Sequence, residues 1–214
     1  MKRFFVLSLF VLLPFVSSCN APPRSGEISS AAANTRQGAI APRPFVDAHA
    51  VIIVRHADID PAQKSSMGSA VPLTTRGQER ARELDTALKE AGITRIVTSS
   101  ALRTGQTAAP LAAELHLTPE DPFSHGAEGR AASSAAVPEA QTVFEYLAKT
   151  ATSNETILLV HHHSVIPSLL AQFGFAGEPP IEDATEFDRV YLLIPDSKTH
   201  TYQLFRLRYG GKWQ

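Results

Sequence analysis

Two apolar runs constrain the fold more than anything else in the chain: AVIIV at residues 50–54 and TILLV at 156–160. A run without polar alternation is the pattern of a strand covered on both faces, which a parallel sheet between two helical layers provides. Each run stops at polar residues. Arg55, His56, Ala57 and Asp58 come after the first; His161, His162, His163 and Ser164 come after the second. A buried strand has no need of charge at its tip. In open α/β sheets ligands bind beyond the carboxyl ends of the strands, so these tips are the place to look for chemistry.

The segments around them alternate in kind. Residues 75–91 read as a helix with Ala81, Leu84, Leu88 and Ala91 on one face. Thr75 and Gln78 are placed as a capping box, and Gly92 as a stop. TRIVTS is a short strand that runs into Ser99-Ser100-Ala101-Leu102-Arg103. Helices are expected over 102–115, 139–149 and 165–173. The segments RVYLLI and TYQLFRLRY, joined by PDSKTH, read as a closing hairpin. Strands alternating with helices predict an α/β layered sandwich with a mostly parallel central sheet and antiparallel strands at one edge.

The N-terminus is of another kind. Lys2 and Arg3 precede an apolar run from Phe4 to Val16 and then Val16-Ser17-Ser18-Cys19. The run is shorter than the roughly 20 residues of a spanning helix and has the n-region and h-region of an export signal. Cys19 is the only cysteine among 214 residues. Its position resembles a bacterial lipoprotein signal, which implies residues 1–19 as signal peptide with Cys19 lipidated. Acyl chains would anchor the mature chain to a membrane. Asn20-Ala21 lacks the aspartate linked to inner-membrane retention, which points to the outer membrane, periplasmic side. Residues 20–46 are rich in Pro, Ser and Ala and read as a flexible tether. The domain proper is expected over 47–214. Loss of the signal removes Lys2 and Arg3 and leaves 18 basic against 21 acidic side chains, a balance of −3. No basic stripe points to nucleic acid.

Two arginines and at least two histidines converge if the three strands are neighbours. That set suits a phosphate monoester. Guanidinium groups bind phosphoryl oxygens bidentately, a neutral imidazole attacks phosphorus, and a second histidine stabilises the charge on the oxygens. Four motifs in order now carry a resemblance: VRHAD at 54–58, LTTRGQERA at 73–81, SSALRTGQTA at 99–108 and VHHHSVIP at 160–167. Together they resemble the histidine phosphatase superfamily, the phosphoglycerate-mutase-like group. The resemblance implies that fold and a phosphohydrolase acting through a phosphohistidine. It implies His56 as nucleophile, Arg55 and Arg103 as phosphate-binding arginines and His162 as the second histidine, chosen by register with Ile166-Pro167. It implies a small phosphorylated substrate and no metal or organic cofactor. Ala57 and His161 stand where the family commonly has glycine. The proton donor is sought among Asp58, Glu120, Asp121 and Glu128, with Asp58 and Glu128 foremost. His125 lies in the same loop as Glu128 and could touch substrate.

Rival readings remain. A surface module that has kept the phosphate pocket but lost turnover is one. A phosphoglycerate-type mutase is a weaker one, because only residues 118–138 are available as a lid. A metal-binding lipoprotein using His161, His162 and His163 is the third. Arg76 and Arg80 are read as a solvated helix face, and Trp213 as part of a rim or loose tail.

Overall fold

The structure is a computed structural model, and it describes residues 44–123 and 136–210. Cys19, residues 20–43 of the tether, His125, Glu128 and Trp213 lie outside the described residues, whereas Val46, read as the end of the tether, is buried in the core and donates its N–H to Tyr202 Oη at 2.7 Å. Eleven elements succeed one another: β1 (Ala50–Arg55), α1 (Pro61–Met67), a 3-10 turn (Gly68–Ala70), α2 (Thr75–Leu88), β2 (Arg95–Thr98), α3 (Leu102–Glu114), α4 (Ala136–Thr150), β3 (Thr156–His161), α5 (Ile166–Gln172), β4 (Arg189–Asp196) and β5 (Thr201–Arg208). Among these elements no helix is long and apolar enough to cross a membrane.

The five strands form one sheet in the order β2-β3-β1-β4-β5. β2, β3 and β1 are parallel; β4 and β5 join antiparallel. The mostly parallel sheet with an antiparallel edge is therefore present. The register aligns the strand ends: Arg55 opposes His161, and Thr98 opposes Val160. The ladder runs one step further, since His56 N–H donates to the His161 carbonyl at 2.9 Å. The tips of β1, β3 and β2 thus end at one level.

Every residue of β1 and β3 is buried. Alternate side chains enter two cores, because the strand period is two. Val51, Ile53, Ile157 and Leu159 pack with Val143, Leu147, Ile166 and Leu169 of α4 and α5. Ile52, Val54, Leu158 and Val160 pack with Leu84 of α2 and Ala108 and Leu111 of α3. The apolar runs are continuous because both layers need them.

Local chemistry differs from the sequence reading at three points. The cap of α2 is Thr74, whose hydroxyl accepts from Gly77 N–H at 3.1 Å, not a Thr75–Gln78 box. Helix α1 was not anticipated, although Asp60 accepts from Ala62 N–H at 2.9 Å and Pro61 opens the helix, a standard start. Arg80 is not solvated: it ion-pairs with Asp58, while Arg76 faces water beside Glu83.

Gly77 holds α2 against the loop after β1. A Cβ there would stand 2.2 Å from the Asp58 carbonyl oxygen. Gly77→Ala is expected to destabilise by about 1–3 kcal/mol, the usual range for overpacking. Gly105, in α3, has nothing within 4 Å of such a Cβ, so Gly105→Ala is expected to stabilise by about 0.5–1 kcal/mol. Thermal unfolding of the two variants checks the pair; equal shifts of the same sign would contradict the packing described.

Candidate active site

The period-two pattern of β1 and β3 sorts the residues at their tips. His56 and His162 continue the face that looks onto α2 and α3; Arg55 and His161 continue the face toward α4 and α5. The rings of His56 and His162 come together, with centroids 5.5 Å apart at 64°.

His56 is 2 % exposed. Its Nδ1 lies 2.8 Å from the Ala57 carbonyl. A carbonyl only accepts, so Nδ1 carries the proton and Nε2 carries the lone pair. Burial drives the pKa of His56 well below 6.5, and the charges of Arg55 and Arg103 add to this against the Ala57 hydrogen bond. The imidazole is neutral, with one tautomer fixed. Ala57 itself is fully buried and donates its N–H to Thr107 Oγ1 at 2.8 Å. Its φ is not positive, so alanine meets no conformational penalty where the family commonly has glycine.

A hydrogen-bond chain orients His162. Arg103 Nη2 stands 3.4 Å from its Nδ1, and Ser99 Oγ lies 3.0 Å from its Nε2. A guanidinium only donates, so Nδ1 accepts and Nε2–H donates to Ser99. Ser99 Oγ lies 3.0 Å from Thr104 Oγ1, whose hydroxyl donates to the Ala101 carbonyl at 2.7 Å. Burial again pushes His162 well below its ordinary pKa, with His161 and Arg103 adding to the effect.

The two arginines are buried, Arg55 at 1 % and Arg103 at 6 % exposure. Arg103 sits in the first turn of α3, and its Nη1 donates to the Gly68 carbonyl at 3.2 Å. Both terminal nitrogens of Arg55 are taken up by the segment before β4: Nη1 by the carbonyls of Glu182 and Glu186, Nη2 by the carbonyl and carboxylate of Asp183. The Phe187 ring lies 3.9 Å under its guanidinium carbon. Burial brings the Arg55 pKa down to about 10, partly offset by Asp183. Each arginine nevertheless keeps its Nε buried with no hydrogen-bond partner among the described residues. Buried donors are nearly always satisfied in folded proteins. Two buried guanidinium groups with orphan N–H donors, whose charges both act on His56, suit an anion.

The acids divide sharply. Asp58 is spent on Arg80, and Glu120 on Arg95 and Tyr146. Asp183 contacts Arg55, Lys64 and His163. Burial raises its pKa, but those neighbours outweigh that and leave it below the ordinary value. Glu139 lies in the first turn of α4; the sequence pattern marks it only as the start of a helix and carries no sign of a site residue. Burial raises its carboxyl pKa, with Arg103 pulling the other way. One of its carboxylate oxygens and one ring nitrogen each from His161 and His162 lie within 4.8 Å of one another. His163 points instead to Asp183, with Nδ1 3.2 Å from Oδ1.

Comparison with known proteins bears on the family and the fold. Residues 51–123 match the family model of the histidine phosphatase superfamily, branch 1. The fold is that of the histidine phosphatases. The protein histidine phosphatase SixA, solved with tungstate, shares 21% identity at TM-score 0.52, over 74% of this chain and 96% of that one. A mycobacterial glucosyl-3-phosphoglycerate phosphatase shares 16% identity at TM-score 0.54, over 77% and 99%. YhfR of Bacillus stearothermophilus shares 17% at TM-score 0.52, over 72% and 94%. No curated protein sequence matches the chain.

Proposed function

We propose that this chain is a histidine phosphatase that removes a phosphoryl group from a small phosphomonoester or a phosphoprotein through phospho-His56. The observation that carries the reading is the pairing of the His56 and His162 rings at one strand-end level, with Arg103 against His162 and an orphan Nε–H on both Arg55 and Arg103; the Nε2 of His56 is the nucleophilic nitrogen. In the first step Nε2 attacks phosphorus while Arg103, Arg55 Nε and His162 hold the oxygens. Water then hydrolyses phospho-His56. Turnover needs no metal or organic cofactor. The leaving oxygen takes its proton from Glu139, the acidic group that the described residues place beside His162 with a raised pKa.

The reading is tested by hydrolysis of p-nitrophenyl phosphate in EDTA, with His56→Ala alongside. Metal-independent activity that vanishes in the variant supports it; no activity in either across acid to neutral pH overturns it. The role of Glu139 makes a separate prediction. Glu139→Gln should lose about 10²-fold or more in kcat on an alkyl phosphate and far less on 2,4-dinitrophenyl phosphate, whose leaving group needs no proton. Equal losses on both would remove Glu139 from that role.

A second reading, a phospho-ligand-binding module without turnover, is favoured by one observation. The segment 182–186 occupies both terminal nitrogens of Arg55, so only Nε is free for phosphate. It predicts phosphate binding dependent on Arg55 and Arg103 and no product.

We also propose export and anchoring by lipidated Cys19 to the outer membrane, on its periplasmic side. The sequence around Cys19 supports this; metabolic labelling with palmitate, lost in Cys19→Ala, is the test.

A further inference from the structure

His161 is not used by the mechanism, and it is the least satisfied polar side chain among the described residues. It is fully buried, and neither ring nitrogen has a hydrogen-bond partner there. Phe123 and His162 flank it, with ring centroids 6.3 and 5.1 Å away. An imidazole left this way forfeits the stabilisation both nitrogens had in water, and a leucine would fill such a place without that cost. One group does approach it: Glu139 Oε1 lies 3.6 Å from its Nε2. That is longer than a hydrogen bond, but it suits two ligands of one ion. Zinc holds nitrogen and oxygen ligands at about 2.0–2.2 Å in a tetrahedron, which sets neighbouring donors roughly 3.4 Å apart. His162 completes a set of three whose donor atoms lie within 4.8 Å of one another.

We propose that Glu139, His161 and His162 form a site for a divalent transition-metal ion of the zinc type, and that its occupation and phosphate turnover exclude one another. Two imidazoles and one carboxylate select zinc, copper or nickel over magnesium and calcium. Three protein ligands leave the fourth position to water. The ion binds by taking the lone pair of His161 and one nitrogen of His162, which then gives up its contact with Ser99 or Arg103. Exclusion results, since His162 cannot hold a phosphoryl oxygen while it ligates and Glu139 cannot donate a proton. Arg103, 3.4 Å from His162 Nδ1, repels the dication and keeps the site reversible rather than structural. His163 is held against Asp183, with Nδ1 3.2 Å from Oδ1, and takes no part.

Binding does not depend on the enzymatic reading; the exclusion does. Zinc titration of the intact protein by calorimetry, after EDTA treatment and dialysis, addresses binding alone. We expect one ion per chain, with affinity weakened at least about tenfold in His161→Ala and in the volume-conserving His161→Leu. His163→Ala should bind like the wild type, and Arg103→Gln should bind more tightly, because a neighbouring cation is gone. No binding, or wild-type binding in both His161 variants, overturns the site. Loss of p-nitrophenyl phosphatase activity with zinc at the same concentrations, reversed by EDTA and weakened in His161→Leu, establishes exclusion. Full activity at saturating zinc overturns exclusion while the site stands. An inactive wild type that still binds zinc counts against the enzymatic reading instead.

Discussion

Replacing His56 by alanine is expected to lower kcat by about 10⁴-fold or more, the scale seen when a nucleophile is removed, with the thermal midpoint little changed. The reason is positional. Nδ1 is fixed by the Ala57 carbonyl, so only Nε2 is available, whereas both ring nitrogens of His162 are already engaged by Ser99 and Arg103. The pH profile carries an independent mark. Burial holds His56 well below 6.5. A base whose pKa is depressed stays neutral to a lower pH than an ordinary histidine, so activity should persist below pH 6.5 and be lost only as the pH falls further. Activity limited by an ordinary exposed histidine would fall by half near pH 6.5.

The second large effect separates function from structure. Arg103→Met is expected to lose about 10²–10³ in kcat/KM, as for loss of one charge-stabilising donor, and to keep or raise the melting temperature. Arg103 is 6 % exposed, its Nε has no partner among the described residues, and burial lowers its pKa. It makes no ion pair with a described carboxylate. A buried cation so poorly compensated costs the fold stability, and a chain retains it only for what it binds. Kinetics and thermal melts of the variant, run together, decide this. A sharp fall in melting temperature would mark Arg103 as structural.

The layered fold was legible because its signals are local. Residues 50–54 and 156–160 are apolar on both faces, and the 3.6-residue spacing of Ala108, Leu111 and Ala112 is undisturbed. His56, His162 and Arg103 were legible through their motifs, and the structure brings them together as strand order and register dictate. Other features depend on distant partners. Arg80 lies on a helix whose exposed face looks solvated until Asp58 arrives from the loop after β1. Asp183 and Phe187 clamp Arg55 across more than a hundred residues, and nothing in IEDATEF announces it. Glu139 reads as an ordinary first-turn acid until α4 sets it against His161. Helix α1 was missed for a different reason. Its Asp60-Pro61 start was in plain view, but PAQKSSM carries no apolar stripe to make it look like a helix.

The measurement that bears most directly on the account is to trap the intermediate. The protein would be mixed with a radiolabelled phosphomonoester, quenched in alkali within the first turnover and digested, and the labelled peptide sequenced. The account predicts label that is stable to alkali and lost in acid, carried by His56 and absent from His56→Ala. Label on a serine or a carboxylate, or turnover with no label on His56 at any quench time, would contradict it.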